Sequence, residues 1–132
     1  MTPSSGANCV VDASAAVRAL LGLDYQALRW MVGPVSWPTL VYAEFAHSVL
    51  RLHRQQVTPL ARAREAIDAI YAAPADEVAV ESLARDAWEL GLARNISAYD
   101  ACYVVLAEGL DLPLVTADRR LAGVTPNATL LT

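Results

Sequence analysis

Two short apolar runs end in the same way. NCVV (8–11) stops at Asp12 and LPLVTA (112–117) stops at Asp118, and helix signals follow each at once. An apolar run this short, bounded by polar residues, reads as a strand buried on both faces. Burial on both faces goes with parallel strands joined by helices, and antiparallel hairpins do not need it. This alternation constrains the fold more than any other feature of the chain.

It also persists along the chain. ASAAVRALLG (13–22) predicts a helix closed by Gly22, and a further helix covers about 24–31. PVSW (34–37) reads as a weak strand. Pro38 or Thr39 then opens a helix to about residue 53, with Tyr42, Phe45, Val49 and Leu52 as its buried stripe. Thr58 starts the next helix, with Pro59 in its first turn and an end near Ala73. DEVAV (76–80) predicts a short strand, and a helix over about 81–93 follows. Ser97 opens SAYDACYVVLAEG, which Gly109 ends. LPLVTA is then a buried strand, DRRLAG (118–123) a single helical turn and ATLLT (128–132) a last strand. No repeat or linker interrupts the series, so one α/β domain over 1–132 is expected, its parallel sheet covered by helices on both faces.

The composition removes several function classes. At 55% hydrophobic residues the chain is not of the disordered type, and no apolar run approaches a membrane span. MTPSSGAN at the start lacks the basic and apolar segments of a signal peptide, which leads to the expectation of a cytoplasmic protein with no membrane partner. Cys9 and Cys102 sit in apolar segments at no metal-binding spacing and read as buried free thiols. His47 and His53 are too far apart to act as an HExxH pair. All ten basic residues are arginine, so no P-loop lysine and no Schiff base can operate. The net charge of −4 does not favour a nucleic-acid partner, but binding depends on local patches. Arg51, Arg54, Arg62 and Arg64 form one candidate patch.

In a doubly covered parallel sheet, ligands bind beyond the carboxyl ends of the strands. Asp12 and Asp118 both belong at that edge. Each also has a plainer reading as a helix N-cap. Asp100 fits a capping-box pattern with Ser97. Glu44 has no cap to make, and its place at the margin of a buried stripe is costly unless it is paired, with Arg51 for example, or bound to a cation. These readings account for each acid separately. Gathered together, the four would form an anionic pocket whose members raise one another's pKa until a cation enters. Oxygen ligands select a hard divalent ion, Mg²⁺ or Mn²⁺, and phosphate-ester hydrolysis is its natural chemistry.

These residues resemble the PIN-domain family, in particular the VapC-type ribonuclease toxins of type II toxin–antitoxin pairs. The resemblance is carried by VVDASAAV (10–17), PTLVYAEFAHSVLR (38–51) and ISAYDACYVVLAEGLDLPLVTADRRLAG (96–123), and it spans nearly the whole chain. It implies a three-layer α/β/α sandwich around a central parallel sheet of about five strands. It also implies Asp12, Glu44, Asp100 and Asp118 as the catalytic and metal-binding acids, with Ser14 and Thr116 in support. Many relatives carry a further Asp or Asn just after the position of Asp118, where this chain has Arg119, Arg120 and Leu121. The implied partners are a cognate antitoxin, a second copy in a homodimer, and an RNA substrate, whether transfer, ribosomal or messenger. Arg51, Arg54, Arg119 and Arg120 are candidate RNA contacts.

The expected activity is Mg²⁺- or Mn²⁺-dependent RNA hydrolysis that leaves a 5′-phosphate and a 3′-hydroxyl. In it, Glu44 either ligates the metal or orients the attacking water. Three alternatives stand beside it. One is a PIN nuclease of RNA processing or repair with no toxin role. Another is a phosphoacceptor domain, which would need the lysine this chain lacks. The third is a non-catalytic binding domain whose acids are only caps and ion pairs.

Overall fold

A computed structural model describes residues 6–132. Residues 1–5, the start of the MTPSSGAN stretch, lie outside them. Five strands form one sheet: β1 (Cys9–Val11), β2 (Val35–Pro38), β3 (Ala75–Val78), β4 (Leu114–Thr116) and β5 (Ala128–Leu130). Their order is β3-β2-β1-β4-β5, and all four pairings are parallel. The central strands β1, β2 and β4 are buried at every residue, whereas the edge strand β3 exposes Asp76 and Glu77. Continuous apolar runs therefore mark the middle of the sheet, as expected for strands covered on both faces.

Helices α1 (Ala13–Leu20), α2 (Tyr25–Leu28), α3 (Leu40–Arg54) and α4 (Leu60–Ala72) pack together as one layer. A short 3-10 turn, Arg29–Met31, continues α2. On the other layer, α5 (Val80–Arg94) pairs with α6 (Ala98–Leu110), and α6 lies against β1, β2 and β4. A single turn, α7 (Arg119–Ala122), connects β4 to β5. The architecture is the three-layer α/β/α sandwich. Trp37, Phe45, Ile70, Tyr103 and Leu114 are the largest side chains of its core. Among the described residues, no helix is long and apolar enough to cross a membrane.

The connections fix where the chain order reverses. From β1 the chain moves outward to β2 and then β3, and it returns through α5 and α6 to β4 on the far side of β1. The crevice lies beyond the carboxyl ends of β1 and β4, the standard ligand position in sheets of this kind.

Several boundaries differ from those read in the sequence. Helix α1 ends at Leu20 rather than Gly22, and Leu23 takes the left-handed conformation at φ 50°. Pro38 closes β2, and α3 begins at Leu40. The buried stripe of α3 is Val41, Phe45 and Val49, while Tyr42 and Leu52 are half-buried. Tyr42 is drawn to the sheet edge, where its hydroxyl accepts from Trp37 Nε1 at 3.2 Å and its ring stacks on Tyr71 at 4.8 Å. Pro59 is the N-cap of α4 rather than a first-turn residue, and Thr58 is buried before it. Helix α6 runs through Gly109 to Leu110, and Asp111 after it supplies the left-handed cap at φ 55°. Aspartate tolerates that conformation better than most residues, so glycine is not required there.

Candidate active site

Asp12 caps α1 directly after β1. Its Oδ1 accepts from the Ala15 N–H at 2.9 Å and from Ser14 Oγ at 2.7 Å. Its Oδ2 accepts from the Thr116 hydroxyl at the end of β4, so one bond ties together the tips of two neighbouring strands. Thr116 Oγ1 also accepts from the Asp118 N–H at 3.0 Å, and Ser14 Oγ accepts from the Ala117 N–H at 2.9 Å. Asp12 is only 5% exposed. Burial pushes its carboxyl above the ordinary 3.8; the Thr116, Ser14 and Ala15 bonds oppose that, and the charge of Asp118 adds to it.

Asp118 caps α7, its Oδ1 accepting from the Arg120 N–H at 3.0 Å and the Leu121 N–H at 3.3 Å. Asp100 stands in the first turn of α6, where the Ser97 cap accepts its N–H at 3.0 Å. Burial raises the Asp100 carboxyl and the charge of Asp118 raises it further, while Ser97 and Arg120 pull it down. Arg120 Nη2 lies 3.7 Å from Asp100 Oδ2 and is largely in solvent. Glu44, on α3, accepts at Oε1 from the Tyr103 hydroxyl at 2.6 Å. Its carboxyl is pushed up first by burial, then by the charges of Asp100 and Asp12, and Tyr103 acts against that rise.

All four acids line one cavity of about 530 Å³. Its walls also carry Ser14, His47, Ser48, Tyr99 and Tyr103. A more apolar groove of about 430 Å³ runs between α3 and α4, but its only carboxylate is Asp68. The acidic cavity is therefore the chemical one. Among the described residues no three acidic, imidazole or thiol groups stand close enough to form a ready metal cage. The acids are spread around an open mouth instead.

The PIN domain family profile matches residues 9–125. The chain belongs to the PIN-domain family. Ribonuclease VapC9 of Mycobacterium tuberculosis is 40% identical over 114 residues, an alignment covering 86% of this PIN domain and 87% of that protein. Among solved structures, PAE2754 from Pyrobaculum aerophilum superposes with a TM-score of 0.71 at 24% identity, covering 93% of this chain and 83% of that one. A toxin–antitoxin complex from Klebsiella pneumoniae gives 0.65 at 15% identity, with 92% and 95% covered. At such identities the two structures speak for the PIN fold alone.

Within the PIN domain, Asp12, Glu44, Asp100 and Asp118 come together as the sequence predicts, and Ser14 and Thr116 bond directly to Asp12. Caps and site coincide, because Asp12 and Asp118 do both. Glu44 pairs with Tyr103 rather than Arg51, which is exposed on α3. The four-arginine patch is not free as a unit, since Arg62 is engaged with Leu21 O at 2.7 Å and with Glu65. Arg51, Arg54, Arg119 and Arg120 are exposed. Sequence reasoning missed Tyr103, His47, Ser48 and Tyr99. Helical spacing could have flagged three of them, for Tyr103 follows Asp100 by three residues, and His47 and Ser48 follow Glu44 by three and four.

Proposed function

We propose that this PIN domain is a single-domain Mg²⁺- or Mn²⁺-dependent endoribonuclease and the toxin of a type II toxin–antitoxin pair, acting in the cytoplasm. One observation carries the reading: four carboxylates line one cavity, and among the described residues the one arginine paired with any of them is solvent-exposed Arg120, 3.7 Å from Asp100. Such a cluster is costly unless a cation is bound. The 40% identity to a protein named as a ribonuclease supports RNA as the substrate. A cognate antitoxin and a second copy in a homodimer belong to the same reading.

The residues suit a hard divalent ion. Among the described residues, the charged oxygen donors on the cavity wall are the carboxylates of Asp12, Glu44, Asp100 and Asp118, the ligand type that Mg²⁺ and Mn²⁺ prefer. Asp12, Asp100 and Asp118 would hold it, and Glu44 would ligate it or orient the attacking water. When bound, the ion supplies charge stabilisation at the scissile phosphate and lowers the pKa of water.

The chain's own residues do the positioning. Asp12 is immobilised by Ala15, Ser14 and Thr116. Asp118 is fixed through Oδ1 by its own helix, which leaves Oδ2 outside the cap. Asp100 stands at the mouth with Arg120 beside it. Arg119 and Arg120, exposed just after Asp118, would meet the RNA backbone at this edge, and Arg51 and Arg54, exposed in the last turn of α3, are further candidate contacts.

Mapping RNA ends after expression without a partner tests the proposal. Wild type should produce defined cuts bearing 5′-phosphates and should arrest growth, and Asp100→Asn should do neither. Equal RNA profiles and equal growth for the two proteins would remove the nuclease reading. Relief of arrest by the product of a small adjacent gene separates a toxin from a processing nuclease.

A further inference from the structure

We propose that Tyr103 is a positioning residue for Glu44, a neutral phenol that fixes the direction of this carboxylate across the site while leaving its charge whole. This rests on the nuclease reading above and adds a residue to it. A carboxylate has no hydrogen to give, so the phenol donates across the 2.6 Å contact. Its ring is 2% exposed within the core, one helical turn beyond Asp100 on α6. The donor is therefore rigid, and it bridges from α6 to the α3 helix that carries Glu44.

Among the described residues, the Tyr103 hydroxyl is the one hydrogen-bond donor to the Glu44 carboxylate. Glu44 lies inside α3 and has no cap to hold it, so without the phenol this long side chain is free to sample rotamers.

The choice of donor is informative. Where a carboxylate only braces the fold, this protein uses arginine: Arg94 holds Glu108 and Arg18 holds Asp24. Asp12 and Glu44 instead take every bond from hydroxyl or backbone donors. An arginine at Glu44 would cancel the charge needed to attract a divalent ion, and it would compete with that ion. A phenol sets direction without doing either.

The test is a cycle of Tyr103→Phe, Glu44→Gln and the double variant, assayed with Mg²⁺ on a labelled RNA oligonucleotide spanning a mapped wild-type cut. Tyr103→Phe should lower kcat roughly ten- to a hundredfold and leave KM within about twofold, the signature of a lost orienting bond to a charged group. In the Glu44→Gln background the same change should cost almost nothing further. In metal-free protein labelled with ¹³C at glutamate Cδ, the Glu44 resonance should shift in Tyr103→Phe.

Additive losses in the cycle, an unchanged kcat, or an effect on KM alone would overturn the proposal. So would a large drop in melting temperature with kcat per folded molecule preserved, which would make the hydroxyl purely structural. If wild type and Asp100→Asn are both inactive, the nuclease reading has failed instead, and the Glu44 resonance still reports whether Tyr103 positions it.

Discussion

Asp12 and Glu108 are both hydrogen-bonded carboxylates near the sheet, yet they are held in opposite ways. Glu108 receives a two-pronged bond from Arg94, at 2.7 and 3.0 Å, and a third from Thr125 at 2.8 Å. Arg94 also donates to Val124 O, so the cluster clamps α5, α6 and the segment before β5. The Arg94 bond holds the Glu108 carboxyl below the ordinary value. Asp12 has only neutral donors, its nearest charged neighbours are other acids, and its carboxyl is pushed up. One site spends its charge on the fold. The other leaves its charge uncompensated, which is what a cation-binding site requires and what a purely structural cluster avoids.

The largest expected effect comes from removing one acid at each place. Asp100→Asn should abolish RNA cleavage, by about a hundredfold or more, while the metal-free protein stays as stable as wild type or gains stability. Glu108→Gln should leave cleavage per folded molecule unchanged. A stability loss at Asp100 equal to that at Glu108, with cleavage intact, would erase the distinction.

Divalent cation gives the next effect. At a hundred times its dissociation constant, Mg²⁺ or Mn²⁺ should stabilise wild type by roughly 2.7 kcal/mol, and chelation should reverse this. Glu108→Gln should respond fully, and Asp100→Asn weakly or not at all. Differential scanning fluorimetry with and without metal reads both.

The two clusters should also tilt the pH dependence in opposite directions. Asp12, Glu44 and Asp100 are raised in the folded metal-free protein, so between their unfolded and folded values the folded state binds more protons. Their contribution makes stability fall as pH rises above about 4. Glu108 is lowered, so its contribution is present above its unfolded value and is lost as pH falls through its folded one. Acid titration of metal-free Asp100→Asn should therefore show a steeper loss of stability on acidification than wild type, and Glu108→Gln a shallower one. At neutral pH the Glu108→Gln loss should be about 1 kcal/mol, as befits a partly exposed pair. Parallel curves for all three proteins would refute the assignment.

What the sequence revealed follows from what is local. Asp12 and Asp118 were legible because a buried strand ending in an acid is a pattern within a few residues. Asp100 was legible only as a cap, and Glu44 only as a carboxylate too near a buried stripe. The Tyr103–Glu44 bond crosses 59 residues between two helices, so helical spacing sets Tyr103 one turn beyond Asp100 but no local pattern names Glu44 as its partner. Phe45 and Val49 of the α3 stripe are buried as read, but Val41 takes the place given to Tyr42, which is apolar enough to read as core while its hydroxyl is claimed by Trp37 at the sheet edge. Glycines at 22 and 109 suggested helix ends that Leu21 and Asp111 actually form.

Arg120 gives the smallest and most discriminating expectation, because among the described residues it is the one arginine paired with an acid of the cluster. Its contact with Asp100, at 3.7 Å and with the arginine three-quarters exposed, is too long and too wet to resemble the Arg94–Glu108 clamp. Arg120→Ala should thus change stability by less than about 0.5 kcal/mol. If the side chain instead serves the RNA backbone, the variant should bind RNA severalfold more weakly, and the slope of log affinity against log salt should fall by about one. Titrations of Asp100→Asn against RNA at several salt concentrations, with and without Arg120→Ala, measure this apart from catalysis. An unchanged salt slope would return Arg120 to the solvent, and a stability loss near that of Arg94→Ala would make it a second clamp.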